Sequence, residues 1–98
     1  MSTELIAHPL LHAALELHPQ VALRPEPFGA LAYHYGNRRL VFLRHPDMVA
    51  VARQLGEHES LAATLAACAV DERRWPSFES AFASLLSSEV IRERTDAG

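Results

Sequence analysis

The hydrophobic pattern changes from short apolar runs in the first half of the chain to helical periodicity in the second half. Three runs of apolar residues lie at 21–24, 28–35 and 38–44. Pro25 and Pro27 close the first run, and Gly36-Asn37 separates the second from the third. Because a Gly-Asn pair suits a tight hairpin turn, with Gly36 at positive φ, the pattern predicts a three-stranded antiparallel sheet.

The predicted hairpin distributes its side chains over two faces. Pairing across the turn places on one face Tyr35 opposite Arg38, Tyr33 opposite Leu40, and Leu31 opposite Phe42. The other face receives His34 with Arg39, Ala32 with Val41, and Ala30 with Leu43. Both faces are partly apolar, so one carries the core and the other is available to the N-terminal segment or to a partner.

The second half of the chain has the 3.6-residue periodicity of three helices. The first begins at Pro46 and stops at Gly56, the second covers residues 61–69 behind the N-cap Ser60, and the third runs from Pro76 to about Ser88. A shorter helical pattern follows Pro9 and ends at His18-Pro19. The order βββααα predicts an α+β, winged-helix-like fold: a three-stranded antiparallel sheet followed by three helices.

Composition places the chain among single-domain proteins of a reducing compartment. It has 98 residues, 49% of them hydrophobic, and one cysteine, Cys68, so an internal disulfide is excluded. No apolar stretch approaches the roughly 20 residues that span a bilayer. Glu4 stands where a signal peptide would carry a basic residue. We expect a cytoplasmic protein without a membrane partner.

The charges are unevenly placed along the chain. Residues 20–55 hold five arginines against two acidic residues, a local balance of +3, although the whole chain carries −3. All nine basic residues are arginine, whose guanidinium group pairs bidentately with carboxylates. The pattern favours an acidic partner, and a genome rich in arginine codons is the alternative explanation.

The residue types for catalysis or metal binding are not arranged for either. His8 and His12 are spaced for one helix face, but no pattern supplies the further ligands that zinc requires. The chain also lacks a nucleophile elbow, a glycine-rich phosphate loop and a carboxylate pair flanked by aromatic residues. We therefore expect no enzyme activity, no cofactor and no metal.

Winged helices often bind DNA, so nucleic acid is a partner from a different class. The predicted second helix offers only Thr64 for reading bases, and the third carries Glu79 and Glu89. With no lysine and a pI near 6.0, the chain lacks the basic surface that phosphate binding requires. We expect no nucleic-acid partner, and a winged-helix DNA-binding protein is the alternative from this class.

The third predicted strand, residues 38–44, is an edge strand if the order of strands in the sheet follows the chain. Its terminal arginines are either guards against aggregation or part of a site. As a site, the edge accepts an extended peptide by strand addition, and the arginines steer an acidic peptide towards it. The same open edge allows a homodimer by strand exchange.

Residues Leu17 to Leu40 resemble the mycofactocin precursor-peptide chaperones, a group within the PqqD-like RiPP recognition elements. The most specific block is Arg24-Pro25-Glu26-Pro27-Phe28-Gly29-Ala30-Leu31, followed by Gly36-Asn37-Arg38-Arg39-Leu40. The resemblance covers residues 17–92. It leaves residues 1–16 as an N-terminal extension and residues 93–98 as a C-terminal tail.

The resemblance implies a non-catalytic adaptor. Such a protein binds the leader of the precursor peptide MftA and presents its C-terminal Val-Tyr to the radical SAM maturase MftC, which holds the iron–sulfur clusters. The leader would lie along the third strand in a cleft walled by the last helix. The implied peptide-binding residues are Arg38, Arg39, Leu40, Val41, Phe42 and Leu43 on the edge, and Phe78, Phe82 and Leu85 on the wall. The alternative within the group is a chaperone for another peptide-derived cofactor, such as pyrroloquinoline quinone.

Overall fold

Strands dominate residues 15–43 and helices dominate residues 46–87 of the computed structural model, which describes residues 9–95. The strands are β1 (Leu15–Leu17), β2 (Val21–Glu26), β3 (Gly29–His34), β4 (Leu40–Leu43) and β5 (Ile91–Glu93). The helices are α1 (Pro46–Gln54), α2 (Leu61–Ala67) and α3 (Trp75–Ser87), with 3-10 turns at Pro9–His12, Leu55–Glu57 and Glu72–Arg74. The predicted α+β architecture, a three-stranded antiparallel sheet followed by three helices, is confirmed.

The main sheet has the order β2–β3–β4, with both neighbouring pairs antiparallel. Its β3–β4 register agrees with the prediction from the sequence: Ala30 faces Leu43, Leu31 faces Phe42, Ala32 faces Val41 and Tyr33 faces Leu40. The strand predicted to lie at the edge is β4, and it does so. Chain order and alternation were sufficient here because the connections in this sheet are short.

The turn between β3 and β4 is longer than the two residues predicted. The amide of Arg38 donates to the carbonyl of His34 at 2.7 Å, and the side chain of Asn37 accepts from the amide of Arg39 at 2.9 Å. The ladder ends at the pair of Tyr33 with Leu40. The predicted pairing of Tyr35 with Arg38 is therefore wrong, because both residues belong to the turn.

Gly36 has a different role from the one expected. The positive φ in this turn belongs to Arg38, at 65°, and not to Gly36. A β-carbon on Gly36 would collide with the side-chain oxygen of Gln20 and would lie 2.8 Å from Cε1 of His34. The turn thus requires glycine for close approach and not for its backbone angles.

A second, two-stranded sheet joins the ends of the described chain and was not predicted. Here β1 and β5 pair antiparallel, with Leu15 opposite Glu93 and Leu17 opposite Ile91. The helical pattern predicted to follow Pro9 and to end at His18-Pro19 is present only as the 3-10 turn Pro9–His12, since the chain then becomes extended. Strands of three residues are too short for alternation to reveal them.

The core lies between the helices and one face of the main sheet. Alternate residues of β3, namely Ala30, Ala32 and His34, are buried. The other core side chains come from β4, the helices and the small sheet, and the largest are Phe82, Leu15, Leu43, Leu55, Leu61, Leu65 and Ile91. Leu15 thus brings the predicted N-terminal extension into the core. The second face of the main sheet is left outside.

Candidate functional site

The two edges of the main sheet can be distinguished by the bonds of β3. The amide of Tyr35 donates to the carbonyl of Gln20 at 2.8 Å, and the amide of His34 donates to the carbonyl of Arg39 at 3.0 Å. Successive residues along β3 therefore bond to opposite neighbours, as an antiparallel ladder requires. Continuing this alternation, Leu40 and Phe42 direct their amide and carbonyl groups away from β3, towards the open side of β4.

The β2 edge is less able to accept a further strand. By the same alternation its outward-facing residues are Val21, Leu23 and Pro25. Val21 already donates its amide to the carbonyl of His18 at 2.9 Å, and Pro25 has no amide hydrogen. Proline at an outward position is a common protection of an edge strand. The β4 edge has no such protection, so it is the edge where an added strand can bind.

The outer face of the sheet carries an apolar patch beside this edge. We call its four members the outer patch: Phe28, 42% exposed, Tyr35, 61%, Leu40, 61%, and Phe42, 53%. They are the large exposed hydrophobic side chains among residues 9–95. The rings of Phe28 and Phe42 meet edge to face at 5.6 Å. Exposed apolar groups gathered in one place are typical of an interaction surface.

A shallow depression of about 400 Å³ lies at one end of the outer patch, lined by Phe28, Phe42 and Arg44. Phe42 and Arg44 are two residues apart, so an extended chain places both side chains on one face. The depression therefore combines an aromatic floor with one guanidinium group.

Three arginines around the β4 edge have no acidic partner within the described part of the chain: Arg38, Arg39 and Arg44 are exposed and form no ion pair there. Elsewhere, Arg24 pairs with Glu26 at 3.0 Å, and Arg92 with Glu16 at 2.7 Å. The available positive charge is thus concentrated at the edge, which suits both a guard against aggregation and a site for an acidic peptide.

The predicted wall of the site is placed differently from its edge. Phe78, Phe82 and Leu85 are buried in the core, and the two rings stack with centroids 6.3 Å apart. Along β4 the side chains of Leu40 and Phe42 are exposed, whereas Val41 is half-buried and Leu43 is fully buried. The structure therefore leaves Leu40 and Phe42 of the predicted edge on the surface. The wall on α3 stays a prediction, and its three predicted side chains are buried.

Phe28, Tyr35 and Arg44 were not among the implied peptide-binding residues, although Arg44 is one of the terminal arginines of the predicted edge strand. A signal was present, because the predicted register put Leu31 and Phe42 on one face and Arg44 continues the alternation. What was missing was knowledge of which face is exposed. That choice depends on where the helices pack.

A polar cluster beneath the β3–β4 turn holds the adjacent edge in place. The buried His34 accepts through Nδ1 from the amides of Gly36, at 3.0 Å, and Asn37, at 3.1 Å. Its Nε2 has no hydrogen-bond partner among residues 9–95, and the nearest carboxylate oxygen, on Glu89, is 3.9 Å away. The side-chain amide of Asn37 donates to that same oxygen at 3.3 Å. This bond links the β3–β4 turn to Glu89, two residues after the end of α3.

Candidates for metal or nucleophile chemistry find no support in this part of the chain. Among residues 9–95, no three His, Cys, Asp or Glu side chains are placed to hold a metal ion. His8, considered with His12 as a zinc pair, lies outside the described residues. Burial, with the negative charge of Asp47 adding to it, raises the pKa of the Cys68 thiol, which disfavours the nucleophilic thiolate. Over the same residues, none of the helices is both long and apolar enough to span a membrane.

A small α+β domain with an unprotected, apolar strand edge is typical of modules that bind an extended peptide. Residues 14–92 match the model of the peptide chaperone MftB family. The chain is 41% identical over 75 residues to peptide chaperone MftB of Mycobacterium ulcerans, covering 76% of this chain and 69% of the relative. It therefore belongs to the peptide chaperone MftB family, as the resemblance predicted.

Two further relatives support this assignment. Peptide chaperone MftB of Mycobacterium tuberculosis is 38% identical over 78 residues, covering 80% of this chain and 72% of the relative. That of Mycolicibacterium smegmatis is 40% identical over 75 residues, covering 76% and 74%. No solved structure is significantly similar to the chain. Since the family is one of peptide chaperones, the prediction that the chain is not an enzyme is confirmed.

Proposed function

We propose that this chain is the non-catalytic chaperone of mycofactocin biosynthesis, which binds the leader of the precursor peptide MftA and delivers it to the radical SAM maturase MftC. The observation that carries the proposal is the open β4 edge, with Leu40 and Phe42 directing their backbone groups outward, in a chain of the peptide chaperone MftB family. The leader pairs with β4 as an added strand.

Backbone pairing alone does not provide tight binding. Leu40 and Phe42 together offer two amide donors and two carbonyl acceptors. At a net gain of about 0.5–1.5 kcal/mol for each hydrogen bond, four bonds contribute roughly 2–6 kcal/mol, before the peptide is ordered. Side chains must therefore supply most of the affinity, and they must also supply the selectivity between peptides.

The unpaired arginines at the edge supply long-range attraction. Arg38 and Arg39 lie in the turn before β4 and Arg44 directly follows the strand, so positive charge flanks the edge at both ends. An acidic leader is attracted into this field, which raises the association rate more than the final affinity. A wall formed by Phe78, Phe82 and Leu85 would require α3 to lift from the core, so the proposal places the peptide on the edge and its outer face.

The chemistry of maturation belongs to MftC, and this chain contributes proximity. A precursor held on the chaperone reaches the maturase at a high effective concentration. With MftC, S-adenosylmethionine and reductant, the chain permits modification of the C-terminal Tyr of MftA. Without the chain, turnover falls strongly, and the chain alone leaves the mass of the precursor unchanged. Full activity of MftC without it would overturn the adaptor role.

Strand addition itself is tested with precursor peptides that carry single N-methylated backbone amides. Only every second amide of an added strand faces β4, so N-methylation should weaken binding at alternate positions. A Phe42→Pro variant removes one outward amide and should reduce affinity by about tenfold while α1–α3 stay folded, as circular dichroism would report. Loss of affinity without this two-residue period would reject strand addition.

Two other partners give distinct results in the same assays. Binding of a pyrroloquinoline quinone precursor peptide in preference to MftA would indicate the other member of the PqqD-like group. Retardation of duplex DNA at physiological salt would indicate the DNA-binding alternative. We expect neither, since the relatives are peptide chaperones and the available arginines are few.

A further inference from the structure

The β4 edge and the outer patch meet at Phe42. Its backbone faces the open side of the strand, and its ring is 53% exposed on the outer face. In a sheet, a residue on an added strand lies beside its neighbour on the same face, at a distance where side chains touch. A peptide that pairs with β4 therefore places every second side chain against the outer patch.

The depression at one end of the patch has room for such a side chain. Its volume of about 400 Å³ lies in the range of small ligand pockets, about 300–1,000 Å³. Phe28 and Phe42 form an edge-to-face pair on its floor, with ring centroids 5.6 Å apart. Two half-exposed aromatic rings favour contact with a large apolar group.

The guanidinium group of Arg44 gives this depression a charged end. Asp47, three residues after Arg44 along the chain, is already paired with Arg74 at 3.0 Å. Glu26, the last residue of β2, is already paired with Arg24 at 3.0 Å. Arg44 itself forms no ion pair within residues 9–95. It is thus available to a carboxylate, which a guanidinium group can bind bidentately.

We propose that the depression lined by Phe28, Phe42 and Arg44 is the specificity pocket of the peptide site. It takes a large apolar residue over the two rings and an acidic residue on Arg44. Because Phe42 and Arg44 are two residues apart along the chain, the apolar and the acidic residue of the bound peptide are also two positions apart. The inference rests on the proposed strand addition, and the peptide is its occupant because the open backbone groups of β4 border the pocket.

The test measures binding of the synthetic precursor peptide to single variants of the whole chain. We expect Phe42→Ala and Arg44→Ala each to weaken binding about tenfold or more. Arg53→Ala, which replaces an exposed arginine on α1 away from the outer patch, is the matched control and should bind as the parent does. All three side chains are exposed, so thermal unfolding should show the fold intact.

Charge reversal then identifies the acidic residue. Arg44→Glu should abolish binding of the parent peptide. The same variant should bind one altered peptide, in which a single acidic residue is replaced by lysine. The apolar peptide residue two positions from that acid is then replaced by alanine. In a double-mutant cycle with Phe42→Ala, the losses of binding free energy should be non-additive. Rescue at an acid without an apolar residue at this spacing would overturn the inference.

The outcomes separate this inference from the function on which it rests. Parent-like affinity of Phe42→Ala and Arg44→Ala, with the two-residue N-methylation pattern retained, would overturn the pocket and leave strand addition intact. Absence of that pattern would reject strand addition and the pocket with it. A dimer in sedimentation that Phe42→Ala dissociates, with peptide affinity unchanged, would show that a second copy occupies the patch and would also overturn the inference.

Discussion

The backbone of Gly29, at the start of β3, lies directly against the carbonyl group of Leu43, at the end of β4. A β-carbon on Gly29 would overlap that carbonyl oxygen and would lie 3.1 Å from the amide nitrogen of His45. Gly29 also has a φ of 153°, which side-chain-bearing residues rarely adopt. This close approach sets the end of β4 next to Phe28, and hence the position of the proposed pocket.

Replacement of Gly29 should therefore destabilise the sheet. Gly29→Ala is expected to lower the free energy of unfolding by at least about 1–3 kcal/mol, because it adds both backbone strain and a clash with Leu43. Gly56→Ala is the control, since its β-carbon would meet nothing closer than Cβ of Glu16 at 3.9 Å. Urea unfolding measures both, and equal midpoints would contradict the structure at Gly29.

Arg94 joins three parts of the chain through its guanidinium group. It donates to the carbonyls of Leu55 at 3.0 Å, His58 at 2.9 Å and Leu15 at 3.3 Å. A single hydrogen bond to a charged group contributes about 1.5–3 kcal/mol, so Arg94→Ala, which removes three, should reduce the free energy of unfolding by at least that amount. Arg73 is an exposed arginine whose side chain bonds, within residues 9–95, only to the nearby Asp71, so Arg73→Ala should change the free energy of unfolding little. Comparable stability of the two variants would mean that residue 94 is a free tail.

Two leucines of the described chain should separate stability from binding. Leu15 is fully buried in the core, so Leu15→Ala is expected to reduce the free energy of unfolding by about 2–5 kcal/mol. Leu40 is exposed on the outer patch, so Leu40→Ala should leave stability nearly unchanged and weaken binding of the precursor peptide. Thermal unfolding and peptide titration on both variants check the pair. A stable Leu15→Ala protein would place residues 9–17 outside the fold.

The salt dependence of peptide binding tests the arginines of the turn. If Arg38 and Arg39 attract an acidic leader, the double Ala variant should associate more slowly and show a weaker dependence on ionic strength. Stopped-flow association at low and physiological salt measures this, with Arg53→Ala as the control. Insensitivity of the parent protein to salt would make these arginines guards of the edge only.

His18 should make stability fall on the acid side of neutrality. Burial, helped by the nearby His34 and Arg92, lowers the pKa of His18 below its ordinary value of 6.5, against the opposite effect of Glu89 and Glu16. The unfolded chain therefore takes up the proton first as pH falls through about 6.5, and the folded state loses stability until the pH is below the folded pKa.

The matched variant is His18→Asn, because an asparagine oxygen can still accept from the amide of Gln20, which bonds to Nδ1 of His18 at 3.0 Å. Its unfolding midpoint should fall less than that of the parent between about pH 8 and 5. The same slope for His18→Asn would assign the acid sensitivity to other groups.

Several features of this protein followed from the sequence because they are local. Ser60 was predicted to cap the second helix, and its side chain accepts from the amide of Ala63 at 3.0 Å. The register of Leu31 with Phe42 followed from alternation on either side of a short turn. In each case the residues that decide the structure lie within a few positions of one another, so their spacing carries the information.

Tertiary packing decided the rest. The pairing of β1 with β5 joins residues from opposite ends of the chain, for which no local pattern exists. The burial of Phe82 and the exposure of Phe42 could not be read from residue type, since both are phenylalanines on apolar elements. The sequence by itself determined β2, β3 and β4, the three helices α1–α3, and the register between β3 and β4. Only the packing of the helices against one face of the sheet decided which apolar side chains form the core and which are left on the surface for a partner.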